Sequence, residues 1–244
     1  MFERKKYKDF AKKQLKGRWG VPIFMSLIIF LFTSLLDLRQ LFQPGFTQNF
    51  YDCITGNISY QEFLTYITYE TSIHSPKFFL IDIVFDIILG IFSVACISVY
   101  LKMSRSPEKV TFSSFLQGFN FWLKAAFATL WSWLWTFLWS LLFIIPGIIK
   151  SIAYSQIYYL IVEYPNLSVT KAMKISMLIT KGHKADLFVM YLSFIGWIIL
   201  AAIPAGLGMI FLSPYMDMTF VNAYHALLKE AVETGKLKPE DLTE

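Results

Sequence analysis

Charge is scarce in this sequence. Only 16% of its 244 residues are Asp, Glu, Lys or Arg, where soluble domains carry about a quarter. Cysteine is scarcer: Cys53 falls in a polar stretch and Cys96 in an apolar run, too few and too far apart in character for a disulfide framework. The three histidines, His74, His183 and His225, fall on three separate segments with no second His or Cys at ligand spacing, which argues against a metal centre. HExxH, GxSxG, a Walker loop and GxGxxG are all missing. The expectation is therefore no cofactor, no metal, no catalytic residues and no enzyme.

Apolar surface is what the chain has in excess. It is 56% hydrophobic and 18% aromatic, with a mean hydropathy of +0.51. A helix that crosses a bilayer needs about 20 mostly apolar residues, and six runs approach that length: 20–38, 78–101, 122–145, 147–163, 186–203 and 207–228. Pro146-Gly147 divides the third from the fourth, and the stretch IPAGLG at 203–208 divides the fifth from the sixth. Such residues break a helix and permit tight reversal. The pattern predicts an all-α polytopic membrane protein whose six transmembrane helices form three hairpins. Residues 1–19 form a basic amphipathic segment before it, 20–230 the membrane domain, and 231–244 a tail. No short apolar core with a cleavage site opens the chain, so the first run is expected to be retained as an anchor.

The net charge of +5 is a topology signal and not a nucleic-acid footprint. With both termini cytoplasmic, eight Lys and Arg precede the first run (Arg4 to Arg18) and four fall at Lys102, Arg105, Lys109 and Lys124. Four more are Lys171, Lys174, Lys181 and Lys184, and three are Lys229, Lys236 and Lys238. Only Arg39, Lys77 and Lys150 of the 22 are left outside. Basic residues concentrate on the cytoplasmic side of membrane proteins, where they also attract anionic headgroups. The expected partners are the lipid bilayer, anionic headgroups at the cytoplasmic face and a membrane-protein partner, with no nucleic acid.

The cytoplasmic segments carry apolar stripes at helical spacing. Tyr7, Phe10, Ala11 and Leu15 form one; Phe112, Phe115, Leu116, Phe119, Trp122 and Leu123 a second, after a cap at Thr111; Val169, Ala172, Met173, Ser176 and Ile179 a third, after Ser168. Each ends near a glycine (Gly17, Gly118, Gly182) and precedes a hairpin. They read as amphipathic helices in the inner interface, so that one unit recurs three times. Tyr154 and Tyr215 each follow a hairpin glycine by seven positions, which supports the repeat. The outer loop 39–77 is the exception, long and aromatic, with a short helix expected over Tyr60 to Tyr69.

The second half looks familiar. IPGIIKSIAYSQIYYLIVEYPNLSVTKAMKISMLITKGHKADLF, then LSFIGWIIL and LSPYMDMTFVNAYHALLKE, resembles a bacterial membrane-protein family known only by number, domain of unknown function 975. LKGRWG near the start fits as well, whereas the outer loop departs from the pattern. The family is similar to the membrane portion attached to some glycerophosphodiester phosphodiesterases. This chain has no room for their catalytic barrel, so the resemblance implies a fold and no activity.

Charged groups within a span are costly and raise a functional hypothesis. Asp82 and Asp86 lie four apart near the outer end of the second run, Lys150 near the outer end of the fourth, and Asp217 about three turns into the sixth. Asp86, Asp217 and Lys150, with Tyr154 and Tyr215, are the candidate ligand- or ion-binding residues. A lysine paired to one aspartate, and interhelical hydrogen bonds from the tyrosines, would account for the same residues structurally. Trp131, Trp135 and Trp139 at four-residue spacing read as a packing or lipid-facing stripe. Two functions are consistent with this: a non-enzymatic membrane component acting through a protein or lipid partner, or a small transporter with an acidic intramembrane site.

Overall fold

The computed structural model describes residues 2–41, 46–72 and 76–242, and every regular element among them is helical. In chain order these are α1 (Arg4–Leu15), α2 (Gly20–Leu41), α3 (Phe46–Ile54), α4 (Tyr60–Ser72), α5 (Pro76–Arg105), α6 (Phe112–Gly118) and α7 (Trp122–Leu142). There follow α8 (Ile144–Tyr154), α9 (Ile157–Glu163), α10 (Val169–Ile179), α11 (Lys184–Leu192), α12 (Ile195–Ala202) and α13 (Met209–Glu233). The chain divides into two compact units, Met1–Leu27 with Ile87–Glu244, and Ile28–Asp86.

Among the described residues four stretches are long and apolar enough to cross a membrane: Asp82–Arg105, Phe112–Leu142, Ile144–Glu163 and Lys184–Ala202. A fifth, Arg4–Leu15 with Gly20–Ser34, passes only as a pair bent by 104°. That is four or five where the hydropathy pattern predicted six. The shortfall has a physical basis in α13, which mixes Asp217, Asn222 and His225 into its apolar run. Its residues from Met218 to Tyr224 are all buried against the rest of the protein.

In the larger unit α7 and α8 form one hairpin and α12 and α13 another, with α10 packed against α7, α8, α9 and α13. The first reversal falls at Phe143, which is extended (φ −161, ψ 151), and not at Pro146-Gly147. Pro146 instead sits in the first turn of α8, where a helix has no use for its missing N–H. Gly147 has another role. A Cβ there would run into Ser140 seven residues earlier, and a Cβ on Gly208 would lie 2.6 Å from the Cα of Ala201, also seven residues earlier. Each glycine thus lets the two arms of its hairpin touch, at the same register in both.

Two of the three amphipathic stripes are largely covered by protein, where the sequence suggested lipid. Tyr7, Ala11 and Leu15 are buried, and α1 packs against α13. Val169, Ala172, Met173, Ser176 and Ile179 are buried as well. Ser168 caps α10 by accepting from the Lys171 N–H at 3.3 Å. Ser176 then serves the interruption between α8 and α9, donating to the Ala153 carbonyl at 2.7 Å and accepting from the Gln156 N–H at 3.2 Å. A broken helix in an apolar setting needs such substitutes for its lost backbone bonds. The α1 stripe stays open at Phe10, and the α6 stripe is open at Leu116 with Phe115 buried.

The smaller unit turns much of the outer loop into structure. The expected helix is α4, and α3 is a second that the sequence did not announce. A reciprocal cap opens α4: the Ser59 N–H donates to Glu62 at 2.7 Å, and the Glu62 N–H to the Ser59 hydroxyl at 3.2 Å. Phe50 and Phe63 pack across the pair at 5.9 Å. His74 and the side chains of Arg39 and Lys77 lie outside the described residues.

Candidate functional site

Each of the expected site residues has its own neighbours within its unit. Asp217 is half-buried on α13 and interacts electrostatically with the thiol of Cys96 and the hydroxyls of Tyr100, Tyr159 and Tyr191. Lys150 on α8 lays its ammonium over the ring of Trp139, 4.3 Å from the centroid, and Tyr154 is buried one turn further on. No ion pair joins Lys150 to Asp217 among the described residues. Asp86 is exposed and belongs to the smaller unit, where Asp82 is half-buried.

Tyr215, on α13, stands beside the basic N-terminal helix. Lys12 of the basic N-terminal helix approaches its ring at 5.7 Å. Lys8, one turn back, donates to the Ser193 hydroxyl at 2.7 Å and lies 4.0 Å from the centroid of Phe194. These lysines close one end of a groove of about 620 Å³ between α1, α12 and α13. Its other walls are Trp19, Trp197, Leu200, Phe211 and Leu212. What holds α1 there is polar as well as apolar: the buried Asn222 amide donates to Gln14 at 2.8 Å and to the Met218 carbonyl at 3.0 Å. The Lys8 ammonium is pushed below its usual range by burial first, then by the positive charges of Lys12 and Arg4.

Two further cavities lie in the same unit. One of about 580 Å³ holds His183 and His225 together with Glu230, so two histidines that seemed remote in the sequence share one site. The His183 Nε2 lies 2.7 Å from Glu230 and its Nδ1 3.3 Å from Asp186. His225 meets the Ser104 hydroxyl at 2.8 Å. The other, about 710 Å³, is lined by Lys102, Arg105, Lys109, Glu108 and Glu163 among others. Arg105 is paired with Glu163. Basic side chains repeatedly tie one loop to another here: Arg18 donates to the Ser106 carbonyl at 2.6 Å, and Lys124 donates to the carbonyls of Pro165 and Leu167.

The comparisons with known proteins bear on this arrangement at one point. Residues 141–231 match the family model described as Protein of unknown function (DUF975). This stretch is similar to the DUF975 family. The chain matches no curated protein and no solved structure. The DUF975 stretch begins at the end of α7 and closes within α13, so it holds the second arm of the α7–α8 hairpin, nearly all of the α12–α13 hairpin, Asp217, Lys150, Tyr154 and the Trp197–Phe211–Tyr215 side of the groove. Helix α1 lies outside the DUF975 match and yet supplies the two lysines. The signal for the groove was present in the sequence as the four-residue spacing of Lys8 and Lys12, beside LSFIGWIIL. Nothing in the sequence paired them.

Proposed function

We propose that the protein is a multi-pass component of the plasma or inner membrane that acts by recognition, not catalysis, through a lipid or protein partner at its cytoplasmic face. The observation that carries this reading is the fate of the basic residues. Lys8, Arg18, Arg105 and Lys124 are built into the packing between segments, and Lys8 and Arg105 also line cavities there. A sparse charge set placed this way favours a structured receptor surface over a flexible polybasic tail. The packing of α1 on α13 supports an even number of crossings with both termini on the same side. The uneven lysine distribution makes that side cytoplasmic.

A second reading, a small transporter, draws on Asp217. A carboxylate on a largely buried helix, in electrostatic reach of three tyrosines, is the kind of group that couples an ion to movement. Native mass spectrometry on protein extracted gently from its own membrane separates the two. A stoichiometric protein or a retained lipid class supports the recognition reading. Proton- or ion-coupled uptake in proteoliposomes, lost in Asp217→Asn and Asp86→Asn while folding is kept, would replace it with the transporter.

A further inference from the structure

The groove between α1, α12 and α13 divides its chemistry by position. At one end stand Lys8 and Lys12, against Ser193, Phe194 and Tyr215; further along, Trp197, Leu200 and Phe211 are 57%, 57% and 59% exposed. That apolar end is continuous in sequence with exposed Phe188 and Leu192 on α11 and Ile195 and Ile199 on α12. Whatever fills it must tolerate hydrocarbon along one part of its length. The basic end demands the opposite. Neither lysine is in an ion pair among the described residues. Their contacts are a hydroxyl, a carbonyl and two aromatic rings. Asp9 acts electrostatically on the Tyr215 hydroxyl at this end and forms no ion pair with either lysine among the described residues.

We propose that this groove binds one anionic glycerophospholipid, with its phosphate between the ammonium groups of Lys8 and Lys12 and an acyl chain against Trp197, Leu200 and Phe211. Basic pockets beside membrane helices on the cytoplasmic side recognise anionic headgroups in this manner. Tryptophans such as Trp19 and Trp197 suit the boundary between headgroup and chain. The volume of about 620 Å³ is within the range of small-molecule sites. A free phosphate would leave the apolar end unfilled, and a zwitterionic headgroup brings its own cation to two that are unneutralised. The proposal also fixes a depth. From Ser193, where Lys8 binds, to the turn after Ala202 is about nine residues, roughly 14 Å of helix and only about half of a bilayer core. With the lysines at headgroup level, the α12–α13 hairpin dips into the inner half of the membrane, short of the full crossing that the length of Lys184–Ala202 would allow.

This inference rests on the recognition reading but names its own residues. The full chain is purified in detergent, equilibrated with mixed phosphatidylglycerol and phosphatidylcholine, and weighed by native mass spectrometry. The wild type is expected to keep one phosphatidylglycerol under activation that strips the rest. Lys8→Gln with Lys12→Gln lowers that occupancy by about tenfold or more, and the double arginine variant restores it. Lys13→Gln with Lys16→Gln removes the same charge from exposed positions at the end of α1 and just after it, and keeps the lipid. Trp197→Ala, at an exposed site, reports on the apolar end even if the lysine variant folds poorly. Equal retention of phosphatidylcholine, equal loss in the Lys13/Lys16 control, displacement by inorganic phosphate, or unchanged binding in both groove variants each overturns the proposal. A protein partner retained without groove lipid would defeat the site and leave the wider reading intact. Groove lipid found together with coupled uptake would do the reverse.

Discussion

Replacing Gly208 by Ala tests the hairpin geometry directly. The added Cβ would lie 2.6 Å from the Cα of Ala201, 2.8 Å from its Cβ and 2.9 Å from its carbonyl oxygen. Two of those atoms are backbone, so no rotamer relieves the contact and the arms of α12 and α13 must part. Overpacking of this kind costs about 1–3 kcal/mol, and a backbone clash belongs toward the upper end. Gly208 precedes the first residue of α13, so alanine gains little helix propensity in return. At about 2–4 °C per kcal/mol for a chain of this size, Gly208→Ala should lower the melting temperature by about 4–12 °C. Gly196→Ala is the control within the same hairpin: nothing lies within 4 Å of its Cβ position, and alanine inside a helix gains up to about 1 kcal/mol. Intrinsic fluorescence of the seven tryptophans, followed on heating in one detergent, reads both. Equal melting of the two variants would refute the close contact at Gly208.

Gly147→Ala should be milder than Gly208→Ala, because its nearest obstacle is the Ser140 side chain and alanine also favours α8; melting in the same series checks the order. Arg105→Ala leaves the Glu163 side chain, only 10% exposed, without its partner and should cost about 1–3 kcal/mol after allowance for the half-exposed arginine. Adding Glu163→Gln should recover part of that loss, and a strictly additive double-mutant cycle would deny the pair. Asn222→Leu removes the hydrogen bond to Gln14 that helps seat α1; a loss of about 1 kcal/mol would open the helix to trypsin at Lys12 or Lys13 roughly fivefold faster. Glu230 is held below its usual carboxylate range chiefly by the hydrogen bond from His183, over the opposing effect of burial. A carboxyl lowered in the folded state stabilises fully above its unfolded value of 4.5 and loses that contribution as pH falls through the lower folded one. The melting difference between wild type and Glu230→Gln should therefore shrink on acidification below that value, and a difference constant with pH would contradict it.

How far the sequence revealed this fold depends on what each residue was answering to. Long apolar runs report on solvent, so α5, α7 and the α8–α9 pair were legible from hydropathy alone, and Ser168 marked the start of α10 because capping is local chemistry. The stripes on α1 and α10 were legible as amphipathic, but amphipathicity has no label for what covers it. Tyr7, Ala11 and Leu15 would show the same spacing against lipid or against α13, and only the fold decides. For the same reason the sixth expected span is not among the four stretches long and apolar enough to cross a membrane. Asp217, Asn222 and His225 were counted as exceptions inside a membrane helix, when α13 is a helix that other helices enclose. Once α13 is enclosed, its polar residues cease to be anomalies and become connectors: Asn222 to Gln14, His225 to Ser104. Tyr215 follows suit. Its partner, Lys12, lies over two hundred positions away, on a segment whose charges looked like a topology signal and nothing more. The same lysines can serve both purposes, since the side of the membrane that attracts them is the side where anionic headgroups lie.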